Sequence, residues 1–436
     1  MSKEFCDHGT AAAKAETIPL ARDLHRWVVF GIIASIYFFV YFHRVTTSVI
    51  APDLLAAFRT DATALGFMSS MYFYVYAFEQ PLVGYLADRL GPRRVISLWT
   101  LTAAFGCVVF GLAPTIGWAS VGRAIIGFGV GGVYVPALKA FSQWFEKKEF
   151  STMTGLFLGA GNLGALVATT PLVWMAQACG WRASFHLIAA ITLMLALAAF
   201  FLTRDHTRAS SLAAVAGSSE SLSPRKASPS ILSVLISLRF WVYGLLLFGV
   251  AGTLLTLQGL WATPYLMSRF GIGLAHASKI NMLIPLGFIA GSPLWGWLGS
   301  RVRNKMTLLV CLLIITISMW TGLVISRLPG GVTGVMIVMF VIGGVSGGLF
   351  TILWTLVRES TPGSVLGATM GLLNPFPMLG IAVFQVVTGA VLDRVGRVNG
   401  IYPPEAYQNA FVLCLAVTAG CLVIALAARK RLSPVG

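Results

Sequence analysis

The chain has 436 residues, 57% of them hydrophobic and only 11% charged, at a mean hydropathy of +0.82. A soluble globular protein carries about 25% charged residues, so this is the composition of an integral membrane protein. A formal charge of +16 would make nucleic acid a candidate partner of a soluble chain, but here the positive residues lie mostly in short loops between apolar runs.

After a charged tail at 1–26, apolar runs recur at about 27–50, 65–87, 95–113, 116–141, 152–176, 183–203, 240–264, 277–299, 306–326, 332–357, 366–391 and 408–427. Roughly 20 helical residues cross a bilayer, so these runs predict twelve membrane helices in an all-α protein. The first run has no small-residue cleavage site and reads as a spanning helix, with no cleaved signal peptide. The longest polar interval, "TRDHTRASSLAAVAGSSESLSPRKASPS" (Thr203 to Ser230), reads as a flexible linker. The organisation is therefore a six-helix bundle at 27–203, a cytoplasmic linker at 204–239, a second bundle at 240–427 and a tail at 428–436. With the N-terminus inside, 21 Lys and Arg fall on the inner side and seven on the outer, while Arg44, Arg123 and Lys139 lie within helices. This bias places both termini in the cytoplasm, and it accounts for the net charge without a nucleic-acid partner. Cys6, Cys107, Cys179, Cys311, Cys414 and Cys421 show no CxxC or other short spacing, which argues against a disulfide framework and a metal site.

The halves repeat each other. "GLFLGAGNLG" (Gly155 to Gly164) and "GLLNPFPMLG" (Gly371 to Gly380) share glycines at an offset of 216, which also carries Gly131 and Gly132 onto Gly347 and Gly348. At an offset of 212, "GYLADRLGPRR" (Gly84 to Arg94) falls on "GWLGSRVRNKM" (Gly296 to Met306), each at the inner end of the second helix of its half. Two parallel repeats of six helices are the plan of a carrier whose substrate site lies between them.

"GYLADRLGPRR" resembles the signature loop of the major facilitator superfamily, and "GRAIIGFGVGG" (Gly122 to Gly132) resembles its fourth-helix motif. The likeness covers about residues 27 to 427. Within the superfamily, helices 1, 2 and 4 are most similar to the organophosphate antiporters and the anion:cation symporters. The resemblance implies a secondary carrier in a bacterial inner membrane, without a cofactor. It also implies that Gly84, Asp88, Arg89, Arg93 and Arg94 form a latch that closes the inner side. By their chemistry, Asp88 can hold a neighbouring helix N-terminus and the arginines can engage carboxylates or lipid phosphates. Ser300 replaces Asp88 in the second copy, so that latch should be weaker.

Arg44 lies deep in helix 1, where it costs about 2.5–3.5 kcal/mol on insertion scales and should face a cavity. Tyr37, Tyr41, Arg44 and Ser48 share one stripe of that helix. A fixed cation among phenol hydroxyls suits a carboxylate or phosphate, and the resembling families hold the substrate's anionic group with an arginine at this place. Gln80 matches a cavity glutamine of the anion symporters, with Tyr76 one turn away. Glu79 is a candidate proton carrier or a member of a local ion pair. On helix 4, Arg123 is read as structural or proton-coupling and Lys139 as a cavity or an inner-gate contact, with Tyr134 one turn from Lys139. In the second half, Gln258, Trp261, Trp354 and Asn374 are candidate substrate contacts, and Asn374, Pro375 and Pro377 predict a broken helix 11.

Two departures from the family pattern bear on mechanism. The second arginine of the organophosphate antiporters is replaced by Leu255, so a two-arginine phosphate clamp is absent. The acids expected before the helix 1 arginine and before the helix 4 proline are His43 and Gly132, which leaves His43 and Glu79 as substitutes for proton coupling. A histidine here can also be a neutral hydrogen-bonding side chain. The single buried cation favours a small monoanionic or zwitterionic carboxylate, moved by a monomeric protein that meets only its substrate, a coupling H+ and lipid. The alternatives are an amino acid or dipeptide carrier, in which Glu79 meets an amino group, and a transporter-like sensor that binds ligand without turnover. No phosphate-binding glycine loop, nucleophile constellation or metal-ligand cluster supports a pump or an enzyme.

Overall fold

The computed structural model describes residues 8–203, 231–325, 330–362 and 365–432. The interval 204–230, read above as a linker, lies outside the described residues, as do both chain ends and Arg327.

Helix α1 (His8–Phe58) begins well before the first apolar run. Helix α2 (Ala62–Leu90) is capped by Asp61, whose carboxylate accepts from the Ala64 amide at 2.7 Å. It ends at Gly91, whose φ of +83° suits glycine, and Pro92 then opens α3 (Pro92–Leu112). Thr115 caps α4 (Ile116–Gly131), which is followed by α5 (Tyr134–Trp144), α6 (Lys147–Val167) and α7 (Thr170–Leu202). Gly180, at φ +81°, breaks α7 into the end of the fifth pass and the whole of the sixth. The second half comprises α8 (Ile231–Ile236), α9 (Leu238–Thr256), a π-helical turn at Leu257–Trp261 and α10 (Ala262–Phe270). It continues with α11 (Leu274–Asn281), α12 (Leu283–Arg301), α13 (Lys305–Ile325), α14 (Val332–Ser360), α15 (Leu366–Leu373), α16 (Pro375–Val395) and α17 (Pro404–Leu432).

Ten of the described helical stretches are long and apolar enough to cross a membrane. The other two predicted passes are α2, and α6 with the start of α7, so the described chain makes twelve passes. In the eleventh the hydrogen-bond ladder is interrupted at Asn374, next to Pro375 and Pro377, while the backbone of Asn374 stays helical and the pass runs on from Thr369 to Val395. Passes four, five, seven and eight are interrupted too, beyond the sequence-based expectation. Pro136, Pro171, Pro264 and Pro285 stand within a few residues of these breaks, and each removes an amide donor to the preceding turn.

The first six passes pack as one bundle, with α1 on α6 and α3 between α4 and α7; in the second, α14 lies against α12 and α13. The repeat extends to two small cavities, one in each bundle. One is lined by Phe39, His43, Thr100, Val130 and Thr192, the other by Thr253, Thr316, Ser346 and Thr418. The offset of 216 carries Thr100 onto Thr316 and Val130 onto Ser346. Between the bundles, α2 lies along α16 and α1 along the 257–261 turn. The backbones come close: a Cβ on Gly66 would stand 2.3 Å from the Gln385 carbonyl oxygen, and one on Gly389 2.4 Å from that of Ala62. We call the side at which the first pass starts and the twelfth ends the near side, and the opposite one the far side.

Candidate functional site

The stripe on α1 forms a cationic aromatic wall. Arg44 is 7% exposed, and its guanidinium carbon lies 4.2 Å from the Tyr41 ring centre and 5.6 Å from that of Tyr76. Among the described residues no ion pair involves Arg44, and its Nε has no hydrogen-bond partner. Tyr37 stacks on Phe157 at 4.0 Å and on Tyr134 at 5.8 Å, and its ring centre is 5.3 Å from that of Tyr41. This wall needs small residues on α6: a Cβ on Gly161 would approach Tyr37 to 2.8 Å, and one on Gly164 would stand 1.9 Å from the Phe38 carbonyl oxygen. Of these two, Gly164 belongs to the repeated set, and its counterpart Gly380 likewise lies against a backbone carbonyl, that of Phe248, while Gly161, whose counterpart is Pro377, makes room for the tyrosines.

From α2, Gln80 donates to the carbonyls of Tyr76 (3.2 Å) and Gly131 (3.3 Å), and its amide oxygen accepts from Asn374 Nδ2 at 3.3 Å. Two predicted site residues from different halves therefore meet directly. Toward the far side, Ser48 donates to Thr263 at 3.2 Å, and Asn281 donates to Ser48, to Thr263 and to the Gln258 carbonyl. Asn281 and Thr263 were missed by the sequence reading; a lone amide inside an apolar run was the available signal for Asn281. In the place of a second arginine, Leu255 is partly buried.

Other predicted residues point elsewhere. The Glu79 carboxylate accepts from Trp99 Nε1 at 3.0 Å and turns toward Gly131, where a Cβ would stand 1.5 Å from Oε1. It therefore lies among α2, α3 and α4, and its Oε1 has no hydrogen-bond partner. His43 faces Cys107 at 3.6 Å and the Phe185 ring, inside its own bundle. Arg123 is fully buried, donates to the His43 carbonyl at 3.0 Å and lies 5.0 Å from the Tyr72 ring centre. The Trp261 indole donates to Thr388 at 2.8 Å within the second half, and Trp354 is half-buried against that half's core.

Lys139 pairs with Asp88 at 2.6 Å and donates to the Ala87 carbonyl, so it belongs with the near-side loop. In that loop Arg89 covers the Tyr85 ring, Arg93 donates to the Phe200 carbonyl at 2.6 Å, and Arg94 is exposed. Gly84 has open space where a Cβ would stand, so its position there does not require glycine.

A family model described as the Major Facilitator Superfamily matches residues 33–383 and 256–435. A probable sulfoacetate transporter of Cupriavidus necator is 27% identical over 64% of this chain and 66% of its own length. A hexuronate transporter of Escherichia coli K12 is 27% identical over 40% of each chain. The matched stretch thus spans less than two thirds of these relatives. Among solved structures, a bacterial homolog of the human lysosomal transporter Spinster, inward-facing and unoccupied, superposes with a TM-score of 0.74 at 18% identity. That match covers 94% of this chain and 97% of the other.

Proposed function

The chain belongs to the Major Facilitator Superfamily, and from that premise we propose that it is a secondary active transporter of a small organic anion, a carboxylate, working by alternating access. The observation that carries this reading is Arg44, a buried cation with no counter-ion among the described residues, set among phenols close to the second half. Such a cation is suited to an anion, because an arginine at this depth is tolerated when a partner or cavity compensates it. The Gln80–Asn374 bridge supplies neutral groups from both halves for the rest of the solute. Leu255 in place of a second cation favours a monoanion over a phosphate ester. Relatives named for sulfoacetate and hexuronate, both organic anions, support the same class.

In this reading the halves at 27–203 and 240–427 rock about that site. The protein is a monomer in the inner membrane of a bacterium, both termini are cytoplasmic as the Lys and Arg bias supports, and the ion pair of Lys139 with Asp88 belongs to the inner gate. H+ is the coupling ion, with Glu79, His43 and Arg123 as the buried candidates. The direction of Glu79, away from Arg44, disfavours an amino acid or dipeptide whose amino group it would meet.

Counterflow exchange in proteoliposomes loaded with carboxylates, sugar acids, amino acids or sugar phosphates tests the function. Exchange of a carboxylate that is lost in Arg44→Ala is expected. Binding without exchange would make the protein a sensor, and stabilisation by neutral or cationic ligands alone would sink the anion site. Accumulation driven by a pH gradient should disappear in Glu79→Gln while counterflow persists; accumulation that survives removes Glu79 from that role.

A further inference from the structure

The far end of α16 carries a sequence that the near-side loop also carries. "GAVLDRVG" (Gly389 to Gly396) and "GYLADRLG" (Gly84 to Gly91) share the pattern G-x-x-x-D-R-x-G, with Asp393 in the place of Asp88. Both stretches close their helix on a glycine of positive φ, +81° at Gly396 and +83° at Gly91. They stand at opposite sides of the membrane.

Their carboxylates are engaged differently. Asp88 is largely exposed and pairs with Lys139 of its own half. Asp393 reaches into the other half, where it accepts from the amides of Ala62 (3.0 Å) and Thr63 (2.8 Å) and from the Thr63 hydroxyl. Tyr402 donates to the same carboxylate and accepts from the Ala62 amide at 2.9 Å, while Arg397 donates to the Thr60 carbonyl. Burial first, and then the carboxylate beside it, hold the Tyr402 phenol above its ordinary value, so it remains a neutral donor. The first turn of a helix leaves its amides unsatisfied and carries the positive end of the dipole. Asp61 caps only Ala64 by side chain, so the first two amides of α2 are held by the second half.

We propose that Asp393, with Thr63 and Tyr402, is the far-side latch of the transport cycle. It holds the far side closed by capping α2 across the two halves and must release α2 before that side opens. Asp393 is thus a positioning residue for alternating access, acting without touching the solute. The proposal rests on the transporter reading, but its test needs neither substrate nor transport, so the two fail separately.

The test uses the full chain with its native cysteines replaced and Thr170→Cys introduced. Thr170 faces Ser278 across the halves at 3.4 Å, away from the latch. A membrane-impermeant maleimide is applied to membrane vesicles from each side in turn. Asp393→Asn should raise the labelling rate at position 170 from the far side roughly tenfold, and Thr63→Ala by a smaller factor, with no rise from the near side. Unchanged rates in both variants, or equal rises from both sides, would overturn the latch and leave a general packing role. If Asp393→Asn does not reach the membrane, Thr63→Ala and Tyr402→Phe decide the question by the same readout.

Discussion

Arg44, Glu79 and Arg123, the buried charged side chains among the described residues, all lie in the first half of the molecule. The second half instead buries Gln258, Asn281, Gln385 and a set of Ser and Thr hydroxyls. The helices repeat, down to two small cavities in which Thr100 and Thr316 hold equivalent places, but the charge does not. On the proposed reading, the first half holds the charged end of the solute, while Gln80 and Asn374 offer neutral groups from both halves. A charged site on one half also spares the other the cost of stripping water from an ion in every cycle.

Removing the charge should have the largest effect. Arg44→Ala is expected to weaken carboxylate binding by about 3 kcal/mol, on the order of a hundredfold in Kd, as read by ligand-induced thermal shift and by counterflow. A loss below about tenfold would mean that the two halves share the anion. Giving the second half a cation tests the asymmetry from the other side. Leu255→Arg should move the preference from monoanions toward dianions by about 1–2 kcal/mol, roughly tenfold in competition assays; an unchanged preference would place position 255 away from the solute.

The amide bridge is a smaller matter. Asn374→Leu or Gln80→Leu should each cost about 1 kcal/mol in binding, and the double variant little more than either alone. Additive losses would show that the two amides act independently. The least effect is expected of Trp261→Phe, which removes the bond to Thr388 inside the second half. Its Kd should stay within about twofold while thermal stability falls by about 1 kcal/mol. A large change in Kd would bring Trp261 back into the site.

Much of this molecule is legible in the chain. Apolar run length marked twelve passes because a bilayer sets the length of a helix, and the offset glycines marked the repeat. The spacing of Tyr37, Tyr41 and Arg44 put them on one face, which the structure confirms as a continuous aromatic and cationic surface. The interruptions in passes four, five, seven and eight were not expected, although prolines stand near each of them. In membrane helices a proline is absorbed when neighbours re-satisfy the freed carbonyl, so its presence alone does not announce a break.

Composition, periodicity and the distribution of Lys and Arg by themselves determined a polytopic two-half helical protein with an arginine inside its first pass. Those are properties of a helix and a membrane taken one segment at a time. Tertiary structure alone decided which neighbour each face meets. Successive residues of a helix turn by about 100°, so Gln80 reaches Asn374 while Glu79, next to it, turns to Trp99. In the same way Arg44 faces Tyr41 and His43 faces Cys107. The two G-x-x-x-D-R-x-G stretches share their fixed residues but not their surroundings, and it is the packing of α16 against α2 that makes Asp393 a bond between the halves while Asp88 stays within one.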